Sequence, residues 1–249
     1  MKTWLHRIGW TAPFLLLLST APAMAQSLTL DMGGEGGSST GHIVQLLMLL
    51  TVLSLAPAIL ITVTSFTRIV VVLSFLRNAL GTQTVPPNIV MVSLALFLTG
   101  FVMAPTLQSS YDNGIAPLMA DKITEQQAFD RTAAPIHDFM MNHVREQDID
   151  LFAGMAKVDV KAEDAKDVPL RIVVPAFMIS ELRRAFEIGF LLFLPFLIID
   201  IVVASILMSM GMMMLPPVTI SLPFKLIFFV LVDGWYLVAG SLVQSFGGR

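Results

Sequence analysis

The sequence predicts an all-α membrane protein, built of helical hairpins with a small helical domain outside the cytoplasm. Two observations predict this fold class. Hydrophobic residues make up 55% of the 249 and charged residues only 13%, where a soluble domain carries about a quarter charged residues. The apolar residues also fall into separate runs, each near the roughly 20 residues that a helix needs to cross a bilayer core. Helix is the form such runs take in lipid, because an isolated strand would leave its backbone groups unpaired there. A mean hydropathy of +0.79 agrees with an apolar solvent for much of the chain.

Residues 1–25 read as a secretory signal peptide. Lys2 and Arg7 stand without an acid. An apolar core runs from Ile8 through Leu15, Leu16, Leu17 and Leu18, and Ala23-Met24-Ala25 precedes Gln26. A charged start, a short apolar core and small residues are the pattern of a cleaved leader. The alternative, an uncleaved first membrane helix, meets a core too short to span comfortably. The mature chain is expected to start at Gln26, outside the cytoplasm. Residues 26–42 follow, rich in glycine and serine (Gly33, Gly34, Gly36, Gly37, Ser38, Ser39). They lack the apolar surface to fold and read as a flexible leader.

Four apolar stretches remain, at about residues 43–64, 88–107, 186–208 and 218–246. The first two form a hairpin over 43–107, and the last two a second hairpin within 172–249. With the N-terminus outside, residues 65–87 are expected as a cytoplasmic loop. They hold Arg68 and Arg77 and no acid, as the positive-inside rule requires. Gly81 and Pro86-Pro87 mark the turn into the next helix. Residues 108–171 then lie in the periplasm. Their acids, among them Asp112, Asp130, Asp138, Asp148 and Asp164, outnumber their Lys and Arg. Phe129, Ile136, Phe139, Met140, Val144, Leu151 and Phe152 recur at helical spacing, which predicts a small helical periplasmic domain.

The stretches differ from ordinary lipid-facing spans. Pro57, Pro195 and Pro223 are expected to kink or break helices. Arg68, Glu187, Asp200, Lys225 and Asp233 sit in or beside apolar runs. Intramembrane charge is expensive, so it faces a protein partner or a cavity. In residues 175–189 (PAFMISELRRAFEIG), Arg183 and Glu187 are i,i+4 neighbours and Glu181 and Arg184 are i,i+3 neighbours. Local ion pairs on an amphipathic helix and a charged face for a neighbouring subunit fit this spacing equally. A hairpin centred on Met212 and Met213 brings positions 200 and 225 level, so Asp200 is expected to face Lys225, with Arg68 a rival partner.

Met208, Met210, Met212, Met213 and Met214 cluster in the turn with Gly211 and Pro216-Pro217. Ordinary hydrophobic packing accounts for such a cluster. So does a soft seal, because the unbranched thioether fills irregular gaps and apolar constrictions exclude water and ions.

The net charge of −3 gives no electrostatic footprint for nucleic acid. The absence of cysteine removes disulfides, thiolate catalysis and cysteine-ligated metals. His6, His42, His137 and His143 show no metal-ligand spacing. No P-loop, G-x-S-x-G or H-E-x-x-H is present, so no enzyme, cofactor or metal is expected. An ion-coupled transporter, with Asp200 and Glu187 as relay groups, would call for internal repeats around the site, and the four stretches show none.

Three blocks resemble the FliP family, which is shared by flagellar export and the injectisome (SctR) branch of type III secretion. They are LAPAIL at 55–60 followed by TSFTRIVVVL at 64–73, the block from 175 to 190, and residues 195–200 leading into the methionine turn. The resemblance covers residues 45–244. The leader and its glycine-rich extension favour the flagellar branch over the injectisome alternative. The resemblance implies an inner-membrane subunit of the flagellar basal body. It implies several copies in a pentamer-like arrangement, joined with FliQ and FliR into a helical or ring-like channel above FlhA and FlhB. That channel passes unfolded rod, hook and filament subunits. The family's methionine gasket carries over onto Met208, Met210, Met212, Met213 and Met214. The charges Arg68, Glu181, Arg183, Arg184, Glu187, Asp200 and Lys225 are then expected to be buried or to contact neighbouring subunits.

Overall fold

A computed structural model describes residues 39–82, 84–158, 168–212 and 215–247. The signal peptide at 1–25, most of the glycine-rich leader, and Met213 and Met214 lie outside the described residues. The chain divides into two units, residues 1–53 and 54–249. Every regular element among the described residues is helical: the chain is an all-α protein with helices long and apolar enough to cross a membrane.

In the first unit, helix α1 (Ser39–Val63, continuing past residue 53) leaves Leu47, Met48 and Leu50 well exposed. The second unit adds α2 (Phe66–Ala79), α3 (Asn88–Ser110), a π-helical turn (Tyr111–Ile115) and the short α4 (Ala116–Met119). Then come α5 (Glu125–His143), α6 (Glu146–Ala156), α7 (Leu170–Ser209), α8 (Pro217–Leu231) and α9 (Gly234–Gly247).

Residues 65–87, expected as a loop, contain α2, and α2 lies at the centre of the unit. Ile69, Val72, Leu73 and Leu76 repeat at helical spacing and are buried. Their stripe packs along α7 and α3. The run is 14 residues long, or about 21 Å, against a bilayer core of about 30 Å, so length kept it out of the candidate spans. Three apolar clusters hold the unit. One joins Phe139, Met140, Ile149 and Ala153 of α5 and α6 to Ile172, Val173 and Phe177 at the start of α7. A second joins Ile69 and Leu73 of α2 to Met91, Ala95, Ala185 and Leu242. A third joins Leu76 and Leu80 to Phe196 and Phe229.

The third apolar stretch was expected to begin near residue 186. It is the second half of α7, one helix of 40 residues and about 60 Å, twice the hydrocarbon thickness of a bilayer. Nothing between Leu170 and Phe186 stops the helix, because Glu181 is internally paired and Arg183, Arg184 and Glu187 face outward. The fourth stretch is not one straight span. It bends by 63° between α8 and α9, where Asp233 takes φ +50°. Pro57, Pro195 and Pro223 lie inside helices and end none of them. Among residues 108–171, α5 starts with a capping box. The Thr124 hydroxyl accepts from the Gln127 amide, and the Gln127 side chain accepts from the Thr124 amide, which satisfies two orphan donors. At Gly114, a Cβ would collide with Thr132 and the Ala128 carbonyl, so glycine sets how closely the π-turn approaches α5.

Candidate functional site

Arg68 stands on the first turn of α2 and Glu181 a third of the way along α7. The two helices pack side by side and bring both side chains into a space closed to solvent, with 3% and 0% of their surfaces exposed. Every nitrogen of the guanidinium donates. Nε donates to Glu181 Oε2 at 2.8 Å and Nη2 to Oε1. Nη1 donates to the Ser245 carbonyl at 3.2 Å and to its hydroxyl at 3.0 Å. The Phe246 ring lies 3.7 Å beneath the guanidinium carbon. A planar fork in two parallel bonds to a carboxylate is the geometry that arginine supplies and lysine does not. The sequence spacing paired Glu181 with Arg184 instead. Arg184 is exposed, and Glu181 turns inward to a partner 113 positions away, which no local spacing reveals.

Asp200 and Lys225 meet across the second hairpin. Lys225 Nζ donates to Asp200 Oδ2 at 2.6 Å, and the Ser221 hydroxyl donates to Oδ1 at 2.6 Å. Lys225 is almost wholly buried and Asp200 a quarter exposed. The residues stand level because the chain reverses once between them. Arg183 and Glu187 pair at 3.0 Å on the outer face of α7, both more than half exposed. Of the charges expected to contact neighbouring subunits, Arg68, Glu181, Asp200 and Lys225 thus have partners within this chain.

A third polar group was not foreseen. Ser180, at the same level of α7 as Glu181, donates to Asp148 Oδ2 and accepts from the Arg145 amide at 3.1 Å. Arg145 closes the group on Asp148 at 2.9 and 2.8 Å. Ser180 and Asp148 are buried. The available signal was the i,i+3 spacing of Arg145 and Asp148.

The methionine turn caps α7. Gly211 takes φ +73°, which glycine enters without steric cost. The Met212 amide reaches the Leu207 carbonyl at 3.0 Å and the Gly211 amide the Met208 carbonyl at 3.1 Å, a Schellman-type ending. Met208, Met210 and Met212 present their side chains outward, at 58%, 60% and 42% exposure. None of the three belongs to an apolar cluster among the described residues. No group of three His, Asp or Glu among the described residues is arranged to hold a metal ion.

Long apolar helices, charges neutralised in pairs and a bare methionine turn define a structural membrane protein. The chain belongs to the FliP family, whose model matches residues 49–242. It is 61% identical over 239 residues to the flagellar biosynthetic protein FliP of Caulobacter vibrioides, covering 96% of this chain and 90% of that protein. The protein of the same name from Bacillus subtilis is 59% identical over 212 residues, covering 85% and 94%. That of Aquifex aeolicus is 47% identical over 234 residues, covering 93% and 97%. The chain is therefore a membrane component of flagellar export with a structural role, and not an enzyme.

Proposed function

We propose that the chain is a structural subunit of the flagellar type III export gate. Several copies, in a pentamer-like arrangement, join FliQ and FliR in an inner-membrane channel of the basal body, above FlhA and FlhB. Unfolded flagellar subunits pass through it. Met208, Met210, Met212, Met213 and Met214 form its gasket. Residues 108–171 face the periplasm, and the exposed Arg183, Arg184 and Glu187 contact neighbouring subunits.

One observation carries this reading. The outer half of α7 is apolar and bare: Phe186, Phe190, Leu191, Ile198 and Ile201 are each more than half exposed. Across the most apolar 18 residues of α7, only 6% are buried. A contiguous apolar surface of this size is covered by lipid or by other protein. The charges beside it favour protein as part of that cover, because an ion pair on a lipid-facing surface costs more than one at a protein interface. Native mass measurement after extraction in mild detergent tests the assembly. A complex of several copies, with smaller helical partners, is the expected result. A chain that stays monomeric at every protein concentration would remove the proposal.

A further inference from the structure

The C-terminal helix meets the rest of the chain by an unusual arrangement. α8 and α9 are 15 and 14 residues long, each about 21–23 Å and so shorter than a bilayer core of about 30 Å. Joined straight, residues 217–247 would measure about 45 Å and would cross it. What separates the two forms is a 63° bend over two residues. Asp233 is in the left-handed region at φ +50°, a conformation that non-glycine residues hold only when their surroundings impose it. Gly234 lies so close to the Phe229 ring that a Cβ would overlap it.

The far end of α9 is held to α2 and α5. Ser245 occupies the Nη1 arm of Arg68 with both its carbonyl and its hydroxyl. Phe246 lies flat on the guanidinium, stacks on Phe139 at 6.1 Å and meets the His143 ring at 5.3 Å. Leu242, one turn earlier, is buried against α2 and α3. The two bonds from Arg68 to Glu181 involve no residue of α9, so the receiving surface is built from α2 and α7 alone.

We propose that α9 is a latch. Its last turn docks on a preformed Arg68–Glu181 platform, and the Asp233–Gly234 elbow is the hinge. Docking selects the bent form, and release straightens residues 217–247 into one helix long enough to cross a bilayer.

Pulsed electron paramagnetic resonance on the full-length chain in lipid tests this. The chain has no cysteine, so spin labels go only where cysteines are introduced. One pair, at Gln147 and Gln244, reports the latch, and a second, at Gln147 and Asn78, reports the bundle. All three positions are exposed. Phe246→Ala removes the stacking, and Gly234→Ala forces the elbow open with the docking residues intact. In each variant the 147–244 distance should gain a second population shifted by up to about 16 Å, the sweep of Gln244 about the elbow through the bend. The 147–78 distance should not move. An unmoved 147–244 distance in both variants overturns the latch. So does simultaneous spreading of both distances, which would make α9 part of one cooperative bundle.

Discussion

Replacing Glu181 with leucine, alone and together with Arg68→Met, separates the strength of the central ion pair from the penalty for breaking it. Both side chains are almost fully removed from solvent. Removing one partner of a buried pair costs about 3–5 kcal/mol, because the survivor stays buried and uncompensated, whereas replacing both by apolar groups of similar size is near neutral. Glu181→Leu leaves the Arg68 fork with only the Ser245 oxygens and the Phe246 ring, and neither carries a full negative charge. A loss of about 4 kcal/mol is expected. For a chain of this size that lowers the midpoint of thermal unfolding by about 8–16 °C. Arg68→Met should do as much. The double variant should recover more than half of the loss, short of the wild type because Ser245 and Phe246 lose their anchor. The exposed Arg183–Glu187 pair is the internal comparison, since Glu187→Leu should cost about 0.5 kcal/mol or less. Fluorescence-detected thermal unfolding in detergent reads all four. A double variant that falls by the sum of the two singles would show that the pair is not the reason for the loss.

Three further outcomes follow from the same geometry. Asp200→Ala and Lys225→Ala should each lower steady-state protein in membranes, through a loss of about 2 kcal/mol or more. The exchanged pair Asp200→Lys/Lys225→Asp should recover part of it, and an exchange no better than the singles on an immunoblot would separate the two residues. Ser180→Ala strips the Arg145 amide and Asp148 of a buried partner and should cost about 1–3 kcal/mol. It should show first as faster proteolysis within α6, and unchanged cleavage there would count against it. Replacing Met210, Met212 and Met213 together by alanine should leave assembly intact and raise the ion conductance of the membrane. An ion-tight membrane with the assembled triple variant would dismiss the seal.

Much of this molecule is written in its apolar runs, and the rest is not, for reasons that can be named. The run beginning at Asn88 reads directly as a helix because its apolar length outweighs Gly100 and Pro105, both of which lie inside it. The level of Asp200 and Lys225 follows from one reversal of direction, which a proline–glycine turn announces. α2 was hidden because a span criterion ignores a buried amphipathic helix too short to cross. The helix over 175–189 is legible, but its start at Leu170 and its unbroken run of 40 residues are not, because charge normally ends an apolar run and the inward turn of Glu181 cancels that signal. The pairing of Glu181 with Arg68 is a tertiary fact: helix spacing lists neighbours on one helix and is silent about the next. The Asp233–Gly234 elbow did carry a signal, since an Asp-Gly pair favours turns, but the apolar residues on either side outweighed it. The π-turn at Tyr111–Ile115 had none beyond a lone glycine.

The length of α7 has a mechanical consequence. Its first half is clamped by the clusters around Phe177 and Ala185, and its second half, packed on α8 through Phe196 and Asp200, carries the methionines at its tip. From Glu181 to Ser209 the lever arm is about 40 Å. A tilt of about 4° at the clamped end therefore displaces the tip by about 3 Å, the width of a water molecule. Sub-ångström adjustments around Arg68 are in this way geared up to the scale on which an aperture opens or shuts.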